Sequence, residues 1–347
     1  MATLKQIAKE LGLSPATVSR ALNGFPEVNI DTRRLVEETA KQLEYRPNKI
    51  AQKLVSGRSG MVGMIVRINP RSPFDRTFAE IMLGLSSRLA QHDIDLVFQV
   101  ASESDPVESY RKMIEKQIVD GFIVNAPVAN DPRIAFLTKK GIPFVVHGRA
   151  SKDAGHPYFD ISNSGVTETA ARHLAALGHK RIALLNGEKT AVYAIDREEG
   201  FRAAVEDLGL FVPERMIVND QPFELYGYEA AKTMLSDATP PSAIICVSTV
   251  VANGVYRAAG ELGISIPGDL SVIAHDDDIP QLRAENFVPP LTVTSAPLQA
   301  SCGPLAEILI TRLGLVQGTP LQQVAEAELI RRASTAPVLS RLATPWT

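Results

Sequence analysis

The 347-residue chain carries only two cysteines, Cys246 and Cys302, each inside an apolar run. So few exclude a disulfide framework, and the pair reads as buried free thiols in a reducing compartment. No stretch approaches the roughly 18 consecutive apolar residues that a membrane span needs. The first residues, Met1 to Gln6, lack a charged segment leading into an apolar one. Neither a membrane anchor nor a secretory signal is expected, and the expected location is cytoplasmic. Short-period repeats and low-complexity segments are absent. So is a glycine-rich loop with the Lys and Ser/Thr that cradle nucleotide phosphates, which argues against a sugar kinase.

What is present is ordinary in bulk and uneven in distribution. Apolar residues make up 45% and charged residues 22%, as in a globular protein of two or three domains. The net charge of −3 alone argues against nucleic acid. Residues 1–60, however, hold ten Lys/Arg against six Asp/Glu, a charge of +4 that leaves −7 for the other 287. A basic module joined to an acidic body is the pattern of a nucleic-acid-binding segment.

The first 45 residues contain three helical patterns and no strand. Thr3 is placed to cap a helix through Leu4, Ile7, Ala8 and Leu11, which Gly12 ends. Ser14-Pro15 supplies a hydroxyl cap and a proline at the first helical position of a second helix, Ala16 to Leu22, with Val18, Ala21 and Leu22 inward. A third follows Asp31-Thr32 and carries Leu35, Val36, Thr39, Ala40 and Leu43. Residues 3 to 23 thus read as a helix-turn-helix. Ala8 is small where the helices cross, and the polar face of the second helix is free to meet a major groove.

Tyr45-Arg46-Pro47-Asn48 breaks the helical pattern, and Ser56-Gly57-Arg58-Ser59-Gly60 marks a linker. Beyond it, apolar strands alternate with helices. The expected strands are 62–66, 95–100, 121–124, 144–147, 181–185, 243–247 and 270–274. The expected helices are 77–90, 106–117, 165–177, 196–208, 227–235 and 251–262. Such alternation indicates parallel sheets covered by helices on both faces. The strand count favours two doubly wound lobes, split near residue 160, with a ligand cleft between them.

These motifs resemble the lactose-repressor (LacI/GalR) family of transcription regulators. The resemblance rests on "TLKQIAKELGLSPATVSRALNG", "YRPN", "AQKLVSGRSG", "RHLAALGHKRIALLNG", "REEGF", "ELGISIPGDLSVIAHDD", "PPLTVTSAP" and "RRASTAP", in that order over nearly the whole chain. It implies an α/β fold class: an N-terminal all-α helix-turn-helix headpiece plus two doubly wound parallel-sheet lobes like a periplasmic sugar-binding protein. The implied domains are a DNA-binding headpiece at 1–46, a hinge at 47–60 and a ligand-binding and dimerisation domain at 61–347. Within the last, the expected lobes are 61–160 with 292–322, and 161–291 with 323–337.

The resemblance also implies roles. Pro15, Ala16 and Arg20 occupy base-reading positions, and Arg20 has the fork that pairs with guanine O6 and N7. Thr3, Ser14, Thr17, Ser19, Asn23 and Thr32 match phosphate contacts, which position without specifying sequence. Leu54 matches a leucine that wedges into the minor groove. In the cleft, Phe74, Asp75, Phe78, Arg149, Tyr193, Arg197, Phe223, Ser248 and Asp276 fall at effector-binding positions, Phe223 displaced by one residue. The lesser alternatives are a core position for Phe74 and Phe78, which stand at helical spacing, and a surface ion pair for Arg149.

Several positions depart from the family pattern: Gly148 replaces an acidic residue, Ser248-Thr249 an Asn-Asp, Ala274-His275 a glycine-containing pair, and Ala296 a polar residue of some members. Arginine with acceptors and aromatics favours a sugar or oligosaccharide effector, with a purine-like ligand second and a phosphorylated sugar third. No cofactor is expected. Three adjacent carboxylates, Asp276 to Asp278, do not supply a metal's oxygen shell. No motif positions a nucleophile for His147 to activate, so an enzyme is not expected.

The expected partners are a double-stranded DNA operator, a small-molecule effector and a second copy of the chain, with no membrane. Residues 339–347 leave no room for a heptad tail. A solute-binding protein or a sugar-modifying enzyme without regulatory role is the alternative, and the first leaves residues 1–60 unexplained.

Overall fold

The computed structural model describes residues 3–22, 24–45, 57–66, 76–101, 105–151, 153–278 and 282–338, with the backbone alone at 76–78 and 80. The chain forms two compact units, Met1–Ser59 and Gly60–Thr347.

In the first unit, α1 (Leu4–Leu11), α2 (Pro15–Leu22) and α3 (Ile30–Gln42) enclose a small core of Ile7, Ala8, Val18, Ala21, Val36 and Ala40. Local signals set the first two helices. Thr3 and Gln6 form a reciprocal capping box, Thr3 N–H donating to Gln6 Oε1 at 2.7 Å. Gly12 ends α1 at a φ of 64°, a left-handed conformation that glycine adopts without penalty. Ser14 Oγ accepts from Thr17 N–H at 3.0 Å and caps α2.

The third helix differs from expectation. Its cap is Asn29, whose Oδ1 accepts from Asp31 N–H at 2.8 Å, so Asp31 and Thr32 lie inside the first turn. Leu35, expected inside, is 49% exposed. Val36, Thr39 and Ala40 take the core stripe, and Leu35 stands about 100° round the helix from Val36.

The second unit contains two six-stranded sheets. The first has the order β11-β5-β4-β3-β1-β2. Its strands are β1 (Met61–Val66), β2 (Asp95–Val100), β3 (Gly121–Asn125), β4 (Phe144–His147), β5 (Tyr158–Ile161) and β11 (Gln322–Ala325), all parallel to their neighbours. The second has the order β12-β10-β9-β8-β6-β7. It comprises β6 (Ile182–Asn186), β7 (Ile217–Asn219), β8 (Ala243–Cys246), β9 (Ser271–Asp276), β10 (Thr292–Ser295) and β12 (Glu328–Ile330). Only β12 runs antiparallel to its neighbour.

Among the described residues the chain therefore crosses between lobes three times. Because β10 pairs with β9 and β11 pairs with β5, the second and third crossings fall at 296–297 and 326–327, not at 291–292 and 322–323 as expected.

Period-two alternation explains the two covered faces of each sheet. Val62, Met64, Ile123 and Val145 pack to one side of the first sheet, against Leu85 and Leu89 of α4 (Arg76–Ala90) and Leu305 and Leu309 of α11 (Leu298–Arg312). Ile65, Phe122, Val124, Phe144 and Val146 pack to the other, against Tyr110 and Met113 of α5 (Glu108–Glu115) and Leu137 of α6 (Pro132–Lys140). In the second sheet Ala183, Leu185, Ile244 and Val272 face one core, while Ile182, Leu184, Ile245 and Ile273 face the other.

Helices α7 (Asn163–Ala176) and α8 (Val192–Asp207) cover that second face, and α9 (Glu224–Leu235) and α10 (Thr249–Glu261) cover the first. Cys246 and Cys302 are buried in different lobes, and burial pushes the Cys246 thiol up. No helix among the described residues is long and apolar enough to cross a membrane.

Candidate functional sites

On α2 the core residues Val18 and Ala21 point inward, while Pro15, Ala16 and Arg20 are exposed. Ala16 and Arg20, four residues apart, share one outer face. Pro15 and Ala16 offer no side-chain donor, so Arg20 is the hydrogen-bonding group of that set. Thr3 and Ser14 are exposed, and Thr17, Ser19 and Thr32 are half-buried. Ser14 Oγ lies 2.8 Å from Thr17 Oγ1, so the two hydroxyls are held together at the start of α2. Arg33, absent from the sequence-derived set, donates through Nη2 to the carbonyl of Phe25 at 2.9 Å and ties α3 to the loop after α2. Asn23 and Leu54 lie outside the described residues.

In the second unit, polar side chains converge at the C-terminal ends of the strands of both sheets, where open α/β sheets bind ligands. The turn after β4 carries Arg149. Its Nε donates to Asp160 Oδ2 of β5 at 2.7 Å, and its Nη2 to Asp196 Oδ2 at 3.3 Å. Asp196 belongs to α8 of the other lobe, so this ion pair spans the cleft. Nearby, Val128 and Ala191 form a backbone bridge between the same two lobes.

Arg197, next on α8, is 5% exposed. Its Nε donates to Asn163 Oδ1 at 2.9 Å and its Nη1 to the carbonyl of Val247 at 2.7 Å. Its guanidinium lies over the Tyr193 ring, 5.3 Å from the centroid. Asn163 in turn donates to Asp160 Oδ1 at 3.1 Å, which links the two arginine systems.

A second group surrounds Asp277. Burial works to raise its carboxyl, but His275, Arg197 and His147 beside it prevail and hold it below the usual carboxylate range. His275 Nε2 stands 3.5 Å from Asp277 Oδ1, an electrostatic contact too long for a strong hydrogen bond. Burial pushes the His147 imidazole down to about 4, against the pull of Asp277, and its Nδ1 lies 2.9 Å from Asn125 Oδ1. Burial also lowers His275. Both rings are therefore neutral at neutral pH. Asp276 is buried, accepts from Asp278 N–H at 2.9 Å, and is raised first by burial and then by its acidic neighbours.

The geometry thus brings Arg149, Tyr193 and Arg197 together, with Ser248 directly after the Val247 carbonyl. Ser248 Oγ caps α10 by accepting from Val251 N–H at 3.3 Å. Phe223 is half-buried and precedes α9, beyond the edge strand β7. Phe74 and Asp75, and the Phe78 side chain, lie outside the described residues. Sequence reading missed Asp160, Asn163, Asp196, His147 as a cleft residue, and Asp277. The available signal was charge in apolar context: Asp160 inside "YFDI" and Asp196-Arg197 beside an otherwise apolar helix start.

A surface depression of about 550 Å³ lies elsewhere, at the N-terminal ends of β4, β5 and β11, bordered by Leu137, Phe144, His156 and Arg312. It holds none of these convergent groups. Among the described residues no group of His, Cys, Asp and Glu is arranged to hold a metal ion.

Comparison with known proteins gives the same two-part division. Residues 3–48 match the model described as bacterial regulatory proteins, lacI family, and residues 171–335 the periplasmic binding protein-like domain. The chain is 40% identical over 344 residues to the HTH-type transcriptional regulator AglR of Rhizobium meliloti (strain 1021), covering 99% of this chain and 96% of AglR. It resembles the structure of the transcriptional regulator CelR in complex with cellobiose, with TM-score 0.71, 27% identity, and 96% and 100% of the two chains covered. It also resembles the lac repressor dimer bound to operator and the anti-inducer ONPF, with TM-score 0.79, 25% identity, and 96% and 99% covered. The chain belongs to the LacI family: it is a ligand-responsive, DNA-binding transcriptional regulator and not an enzyme.

Proposed function

We propose that the protein is a repressor of carbohydrate-uptake or catabolism genes, acting in the cytoplasm as a homodimer on a pseudo-palindromic operator. The two-fold axis of a dimer matches that of such a site. Residues 1–46 form the DNA-binding domain, 47–60 the hinge and 61–347 the effector-binding and dimerisation domain. Arg20 reads a base edge, with Pro15 and Ala16 in apolar contact and Leu54 wedged in the minor groove. Thr3, Ser14, Thr17, Ser19, Asn23 and Thr32 hold phosphates.

The effector is a sugar or oligosaccharide bound between the lobes by Phe74, Asp75, Phe78, Arg149, Tyr193, Arg197, Phe223, Ser248 and Asp276. The observation that carries this reading is the Arg149–Asp160–Asp196 cluster across the cleft. Alternating guanidinium and carboxylate groups beside an aromatic ring suit hydroxyls, which both donate and accept. The cellobiose-bound relative supports the same class.

Effector acts by preferring one of two lobe arrangements, which shifts operator affinity through the hinge. Footprinting on the promoter regions of sugar-utilisation genes tests the proposal. A two-fold protected site whose occupancy changes with a saccharide supports it. Protection indifferent to every saccharide that binds the protein overturns it.

A further inference from the structure

The charges that face the cleft do not balance toward an anion. Arg149 would by itself be a strong receptor for phosphate or carboxylate, because its planar fork matches both. Here that fork is directed at Asp160 and Asp196, with side chains of Arg149, Asp160 and Asp196 only 16%, 8% and 6% exposed. Arg197 gives its donors to neutral oxygens, Asn163 Oδ1 and the Val247 carbonyl, and its electrostatic counterpart is Asp277. Two guanidiniums thus face three carboxylates, Asp160, Asp196 and Asp277, and His147 and His275 contribute no positive charge at neutral pH.

We propose that Asp196 is a charge-selectivity residue: by neutralising Arg149 from across the cleft, together with Asp160, it restricts the effector to uncharged saccharides and excludes their phosphate esters. The inference rests on the reading of the cleft as the effector site, and it assigns Asp196 a role that the sequence did not point to. A phosphate dianion would have to displace a carboxylate from Arg149 while Asp277 repels it. A neutral saccharide leaves both ion pairs in place and completes them with hydroxyls.

Asp196→Asn removes one charge with little change in shape. The test is calorimetric titration of the full-length protein with cellobiose, maltose, sucrose and raffinose, and with glucose 6-phosphate and maltose 6′-phosphate. The wild type is expected to bind at least one neutral saccharide and neither phosphate ester. In Asp196→Asn, affinity for a phosphate ester relative to the neutral saccharide is expected to rise on the order of ten-fold, less at high salt. Asp160→Asn, which strips the other carboxylate from Arg149, is expected to act in the same direction, and Asp196→Glu to restore the preference.

An unchanged preference in both Asn variants overturns the inference while leaving the saccharide reading intact. A wild type that binds a phosphate ester as tightly as the neutral sugars also overturns it. Failure of the wild type to bind any of the neutral saccharides overturns the saccharide reading and this inference with it.

Discussion

Arg197 Nη1 donates to the carbonyl of Val247 at 2.7 Å, so that α8 is pinned to the end of β8, one residue before Ser248 starts α10. Thr167 Oγ1 donates back to the Arg197 carbonyl, and Asn163 receives the Nε proton. The side chain is thus both a cleft group and a brace between two helix starts. Arg197→Ala is expected to lower stability by about 2–4 kcal/mol, since it strands buried acceptors and leaves a cavity. It is also expected to abolish the saccharide-induced rise in melting temperature. Differential scanning fluorimetry with and without saccharide reads both; a full ligand shift in the variant would remove Arg197 from the binding site.

The crossing of α9 and α10 depends on Gly227 and Gly254. A methyl on Gly254 would collide with the Glu224 carbonyl and the Tyr228 backbone nitrogen, and backbone gives way less readily than a side chain. Gly254→Ala is expected to cost about 1–3 kcal/mol by overpacking. Urea denaturation of the variant should show an earlier midpoint at unchanged slope; an unshifted midpoint would mean that the helices separate at little cost.

The histidines held below their ordinary pKa give acid sensitivity of definite sign. His147 stays neutral in the folded protein down to about pH 4, whereas in the unfolded chain it takes a proton near 6.5. As pH falls from 6.5 to 4, the unfolded state gains a proton that the folded state refuses, and stability declines. His156, His173, His179 and His275 are lowered as well and act in the same direction. The melting temperature is expected to drop across that window, and His147→Gln to flatten part of the slope. A melting temperature constant from pH 7 to pH 4.5 would contradict the burial assigned to these rings.

Arg20 is the hydrogen-bonding member of the exposed trio Pro15, Ala16 and Arg20 on α2, proposed above to read bases. Arg20→Ala is expected to cost roughly 1–3 kcal/mol on the preferred operator and to relax preference at one base position. Binding to single-base operator variants at fixed salt checks this. Equal losses on every variant would make Arg20 a phosphate contact.

Local chemistry explains which features were legible. Thr3, Gly12 and Ser14-Pro15 act within a few residues of themselves, so α1 and α2 could be read directly. The central strands, buried on both faces, appear as continuous apolar runs, as at Phe122-Ile123-Val124 and Phe144-Val145-Val146. The strands missed were β5, β7, β10, β11 and β12, each three or four residues long. Polar residues such as Asp160 in β5 and Thr292 and Thr294 in β10 hide them, because their hydrogen-bond partners are distant in sequence or follow the strand. Helix α11 was obscured by Pro304.

The cleft was legible in part for the same reason. Arg149, Tyr193 and Arg197 were accessible from motif positions, whereas the carboxylate across the cleft from Arg149 is a tertiary fact. Asp277, just past the end of β9, is the carboxylate that stands with Arg197 and His147.

On the proposed function, a ligand held between the lobes governs DNA binding by the headpiece. The most direct test is fluorescence anisotropy of a labelled operator duplex at fixed salt, for wild type and Arg149→Ala, with and without a saccharide that stabilises the wild-type protein. Saccharide is expected to change wild-type operator affinity about ten-fold or more, while Arg149→Ala binds the operator and does not respond. Wild-type affinity unchanged by the bound saccharide, or an undiminished response in Arg149→Ala, would contradict it.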